Sequence, residues 1–160
     1  MLVRLTPPAA LSHIVEAFWS FDGEAEAPRR SKLERALPTG RTNLVIRTSG
    51  PPVRVLEGVD DRAGQVFGHS VVSGVRTSFY VRDTSAAASS VGVQFTPAGA
   101  AAVLGVPATE LAGRHLPLAD VVGAPARDAV DQVLEGRSPA ARLAALQTIV
   151  LEWARATLGE

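Results

Sequence analysis

Through the first 95 residues, apolar side chains recur at every second position in short runs, the alternation of half-buried strands. The run His13–Phe21 is apolar and aromatic, and period two places Val15, Ala17, Trp19 and Phe21 on one face. In Thr42–Thr48 the alternation separates Leu44 and Ile46 from Asn43, Val45 and Arg47. Further strands are predicted at Lys32–Leu37, Val53–Glu57, Gln65–Gly68, Val75–Arg82 and Ser90–Phe95. Turn chemistry separates them: Pro38-Thr39-Gly40, Gly50-Pro51-Pro52, the stretch from Gly58 to Gly64, and Gly74. About seven short strands at this spacing predict a β-barrel or sandwich.

After Phe95 the period lengthens. Thr96-Pro97 reads as a cap before a short helix over Gly99–Leu104, which Gly105 stops. Short turns follow near Pro107–Ala112 and Leu118–Val122. Pro125 opens a helix to Glu135, with Val130, Val133 and Leu134 on one side and Gly136 at its end. Ser138-Pro139 starts the last and longest helix, where Leu143, Leu146, Val150 and Trp153 recur at steps of three and four. That seam either packs on the chain's own barrel or pairs with a second copy, in which case these four residues are the dimer interface. The expected fold class is α+β: a β-rich part over residues 1–95 and a helical part over 96–160, in one domain.

Composition narrows the function. A chain of 160 residues is long enough to bury about 70% of its unfolded surface without cross-links. Cysteine is absent, which excludes disulfide scaffolds, thiolate metal sites and cysteine nucleophiles and fits a reducing cytoplasm. Sixteen basic residues balance sixteen acidic ones. Gripping DNA requires a cationic excess, so DNA binding by this chain alone is not expected. No leader-like apolar start and no run of about 18 apolar residues occurs, so no membrane span is expected.

The stretch Gly68-His69-Ser70-Val71-Val72-Ser73-Gly74 nearly spells the G-x-S-x-G elbow of serine hydrolases. Val72 stands where the second glycine belongs, and a strand pattern rather than a helix follows. Ser70, Asp83 and His115 do run in hydrolase order, but an elbow without its helix lacks the oxyanion site, and Ser70 reads as a turn residue. His13, His69 and His115 are isolated from one another, without the H-x-H or H-E-x-x-H spacing that brings two rings onto one metal. His115 reads as a loop residue. No phosphate-binding glycine loop occurs. Neither a catalytic group, a metal nor another cofactor is therefore expected.

Two stretches do carry a likeness. Leu37-Pro38-Thr39-Gly40-Arg41-Thr42-Asn43-Leu44-Val45-Ile46 resembles a segment of the N-terminal sensor domains of AraC-type transcriptional regulators. Val91–Ala100, continuing to Leu104-Gly105-Val106-Pro107, resembles their strand-to-helix segment. Phe18-Trp19 and Leu118–Gly123 fit in order, so the resemblance spans residues 5 to 155. It implies a cupin-like sensor that binds a small-molecule effector, pairs as a homodimer through helices, and reaches DNA only through a C-terminal domain lying outside this chain. Strand faces then nominate Trp19, Phe21, Phe79 and Tyr80 as aromatic pocket residues and Arg41, Asn43 and Arg47 as polar ones. Phe79 and Tyr80 are adjacent and point oppositely, so both cannot line one pocket. The alternative is a small cupin-like enzyme or binding protein on the same scaffold.

Overall fold

A computed structural model describes residues 1–23 and 33–160. Lys32, the first residue of one predicted strand, lies outside the described residues. The chain forms β1 (Leu2–Leu5), a 3-10 turn at Ala9–Leu11, β2 (Val15–Asp22), β3 (Leu33–Ala36), β4 (Asn43–Ser49), β5 (Val53–Leu56), β6 (Gln65–Gly68) and β7 (Ser70–Ser73). It continues through β8 (Tyr80–Asp83), β9 (Ser89–Phe95), α1 (Gly99–Leu104), α2 (Ala108–Leu111) and β10 (His115–Pro117). The helices α3 (Leu118–Val122), α4 (Pro125–Glu135) and α5 (Pro139–Leu158) complete it.

The class is α+β, with two antiparallel sheets rather than a closed barrel. A six-stranded sheet runs β1-β2-β9-β4-β7-β10, and a four-stranded sheet runs β3-β8-β5-β6. No helix among the described residues is long and apolar enough to cross a membrane.

Register explains where the core lies. Leu5, Phe18, Val93, Leu44, Val72 and Leu116 stand opposite one another across the six strands. Apart from the exposed Leu5, these residues, with Ile46 and Val91 in the next row, face α1, α4 and α5 and form one apolar cluster with Val103, Leu104, Val133, Leu146 and Val150. Leucine and β-branched residues at every second position of β4 and β9 form this face because strand side chains alternate.

Several sequence expectations change here. Val15 does not share a face with Ala17, Trp19 and Phe21: the pairing of β2 with β9 shifts between Val15 and Ala17, and the extra residue, Glu16, turns Val15 into the helical core. Ser70 opens strand β7 rather than a turn, and the strand expected over Val75–Arg82 is confined to β8. Thr96 does not cap α1; its hydroxyl donates to His13 O at 3.0 Å. Ser138 does cap α5, accepting the Ala141 N–H at 3.1 Å, with Pro139 in the first turn.

The seam of α5 also turns inward. Leu143, Leu146 and Val150 are all buried in the cluster shared with the sheet, and only Trp153 stays partly exposed. In the folded chain these three cannot form the surface of a dimer, because their apolar area is already covered by β2, β9, α1 and α4.

Candidate functional site

The opposite face of the same sheet sets polar side chains among apolar ones. His115, Ser73, Asn43, Gln94 and Ala17 form one row across five strands. The next row is Pro117, Val71, Val45, Gly92, Trp19 and Arg4, and beyond it stand Arg47, Ser90, Phe21 and Leu2. Four of the sequence-nominated residues, Trp19, Phe21, Asn43 and Arg47, thus share one face. The second sheet meets it through Tyr80 and Phe67, whose rings lie 4.6 and 5.6 Å from the His115 ring.

Several of these polar groups are partnered. Arg4 Nη2 donates to Gln94 Oε1 at 2.6 Å, and Asn43 Nδ2 donates to Arg41 O at 3.3 Å. Arg47 is different: its Nε is buried and finds no acceptor among the described residues. Burial first, and the nearby Arg82 charge second, lower its pKa. Trp19 is held by packing, since a Cβ at Gly92 would stand 2.2 Å from its ring. That position accepts glycine because the indole lies directly over the backbone.

Arg41 and Phe79 fall outside this group. Arg41 Nε pairs with Glu16 at 2.6 Å in a half-exposed ion pair beside the β2 irregularity, an interaction worth about 0–1 kcal/mol. Phe79 is exposed, with the Arg35 guanidinium 5.1 Å from its centroid. Between the two adjacent aromatics, Tyr80 is the one at the site.

At the β10 end of the polar face the sheets leave a cleft of about 600 Å³. It is lined by Phe67, Arg76, His115, Pro117, Glu57 and Asp61, with Arg114, Asp120 and neighbouring residues of β5, β6 and β10. Asp61 shapes the β5–β6 loop by accepting N–H bonds from Gly64, Glu57 and Ala63, which hold its pKa below the ordinary carboxylate value. His115 is not the loop residue expected from sequence: it sits on β10 and is only 8% exposed.

Arg76 and His115 form the centre of the cleft. The Arg76 side chain is 10% exposed, and its Nη1 donates to His115 Nδ1 at 3.2 Å and to Gly113 O at 3.4 Å. Its guanidinium carbon lies 5.3 Å from the Tyr80 centroid. Guanidinium only donates, so His115 Nδ1 accepts and the ring is the neutral Nε2–H tautomer. Burial, and then the Arg76 charge, push the His115 pKa down to about 4.

That shift has a sign. The unfolded chain takes up this proton near 6.5 and the folded chain only near 4, so the unfolded state binds more protons in between. Stability is therefore expected to fall as pH drops from 6.5 towards 4 and to lose no more from this group below that. The contribution is on the order of 1–2 kcal/mol, allowing for water at the ring. Melting temperatures of the wild type and His115→Gln across this range check it: the variant should show the shallower acid slope, and parallel curves would contradict the assignment.

Neither Arg76 nor Phe67 stood out in the sequence, and His115 did so only as a discounted histidine. The pairs meet by tertiary crossing, and Arg76 and His115 are 39 positions apart. Among the described residues no group of three or more His, Asp or Glu side chains gathers as metal ligands would.

A family model described as a domain of unknown function, DUF6597, matches residues 3–117. The chain belongs to that family. The DUF6597 match runs from β1 to the last residue of β10, so it encloses both sheets, the polar face, Arg76 and His115. The helices α3 to α5 lie outside it. No curated protein and no solved structure matches the chain.

Proposed function

We propose that this chain is the small-molecule-sensing domain of an AraC-type transcriptional regulator, cupin-like in plan, cytoplasmic, and without catalytic or DNA-binding activity of its own. The observation that carries the reading is the two-faced sheet. Folding needs one apolar face, and the helices cover it; the polar groups of the other face, Arg47, Asn43, Gln94 and His115, are more than folding requires, and its His115 end borders a cleft of ligand size. The resemblance of Leu37–Ile46 and Val91–Pro107 to AraC-type sensors names the kind of module that uses such a pocket.

The arrangement also supports signalling. Strands β2 and β9 present Trp19, Gly92 and Gln94 to the polar side and Phe18, Val93 and Phe95 to α1 and α5. A ligand that shifts these strands moves residues on which the helices rest. Homodimerisation remains part of the proposal, with its surface away from the buried seam.

The zero formal charge supplies no phosphate-neutralising excess, so residues 1–160 are expected to give no sequence-selective shift of DNA in a mobility assay at physiological salt. Selective binding at sub-micromolar concentration would overturn the proposal. Stoichiometric iron, zinc or manganese in the purified protein, joined to turnover, would instead favour the small cupin-like enzyme.

A further inference from the structure

The guanidinium of Arg76 is anchored on one side only. Its Nη1 is engaged by Gly113 O and His115 Nδ1, and the Tyr80 ring lies against it. Its Nε is buried and has no acceptor among the described residues. Its Nη2 faces Glu57 Oε2 at 3.7 Å, beyond hydrogen-bond reach, and the Glu57 side chain is 82% exposed. Nε–H and Nη2–H lie along the same edge of a guanidinium, the edge that accepts both oxygens of a carboxylate in a parallel pair. A nine-tenths-buried cation thus keeps its carboxylate-binding edge unfilled beside the cleft.

We infer that the cleft receives a small organic monocarboxylate, whose carboxylate displaces Glu57 and takes the Nε/Nη2 edge of Arg76. This rests on the proposal that the cleft is a ligand site, and it names the class of ligand. The body of the molecule has apolar wall to lie on, from Phe67 and Pro117. Charge selects a monoanion. Besides Arg76 and Arg114, the lining carries the carboxylates Glu57, Asp61 and Asp120, and a dianionic phosphate would meet all three. Glu57 acts as an internal competitor: it holds the cation loosely when the cleft is empty and swings into solvent when a better-placed carboxylate arrives.

The test titrates benzoate, and benzamide as its neutral counterpart, into ¹⁵N-labelled protein while following the Arg76 Nε–H and His115 resonances. Benzoate should shift both saturably and benzamide should not. Glu57→Gln removes the competitor and should tighten benzoate binding about two- to fivefold, the range set by an exposed ion pair. Arg76→Gln should weaken it about tenfold or more, because a buried bidentate pair is lost. Should Arg76→Gln fail to fold, the Glu57→Gln and benzamide arms decide alone. Equal binding of benzamide overturns the carboxylate class while leaving the cleft a ligand site. Unchanged or weaker benzoate binding in Glu57→Gln overturns the competitor mechanism and the inference with it. The absence of any saturable shift with benzoate in the wild type overturns the inference and the ligand site together.

Discussion

Replacing Leu146 with aspartate is expected to abolish folding rather than to release folded monomers. Leu146 has no exposed surface and sits in the cluster where α5 meets β2, β9, α1 and α4. Truncation to alanine alone should cost about 2–5 kcal/mol, from lost burial and the cavity left behind. Domains of this kind hold only about 5–15 kcal/mol in total, so an unpaired carboxylate at the same place exceeds what remains. Circular dichroism and urea unfolding of Leu146→Ala and Leu146→Asp would show a lowered midpoint in the first and no cooperative transition in the second. A cooperatively folded, monomeric Leu146→Asp protein with a wild-type midpoint would return the α5 seam to the surface and to a pairing role.

The second large effect is expected at Gly74, the glycine that closes the hydrolase-like stretch. A Cβ there would lie 1.7 Å from Leu111 O and 2.3 Å from Leu111 C, a collision with backbone that no side-chain rotation relieves. The two segments are also stitched together, since Gly74 N donates to Arg114 O at 2.9 Å and Gly113 N donates to Val75 O at 2.7 Å. Alanine at this position must push the Leu111–Arg114 segment away and pull β10 from β7. We expect a loss of about 3 kcal/mol, the upper end for overpacking. We also expect the His115–Arg76 contact to open, since one residue lies just beyond each side of the crossing. Gly113→Ala is the control: nothing lies within 4 Å of its Cβ, and only the strain of a positive φ of 71° applies, about 1–2 kcal/mol. Thermal melts of both variants, with the His115 resonances as a local probe, check the contrast. A Gly74→Ala protein no less stable than Gly113→Ala would remove the collision from the account.

How much was legible in the sequence follows from which physics is local. In β4 the alternation of Leu44 and Ile46 with Asn43, Val45 and Arg47 assigned both faces correctly, since nothing interrupts that strand before Arg47. The same rule failed in β2, where one irregular residue exchanges the faces and leaves no mark in composition. The bounds of α4 and the start of α5 were readable because Pro125, Ser138 and Pro139 act within a single turn. By contrast, β1 and β10 have four and three residues, too few to show a period, and each exists through pairing with a neighbouring strand.

The site divides in the same way. That Trp19, Phe21, Asn43 and Arg47 share one sheet face was legible because a strand face is a local property, although none of the four lines the cleft. Arg76 and His115 were not, because the Gly74 crossing joins them, and a close approach between distant backbones leaves only a glycine as its trace. The closing glycine of the stretch around Ser70 answers to Leu111 O, while the opening one, Gly68, takes a positive φ of 96°. The likeness to a nucleophile elbow comes from two backbone requirements of a different fold.

The two faces of the six-stranded sheet place the helix-packed core and the polar row on different residues of the same strands. A change at Leu44, Val93 or Phe18 is answered by the packing of the helices. A change at Asn43, Ser73 or Gln94, each one position from Leu44, Val72 or Val93, falls on the other face and leaves that packing in place. Libraries randomised at Asn43, Ser73 and Gln94 should therefore yield folded proteins far more often than libraries randomised at their buried neighbours Leu44, Val72 and Val93.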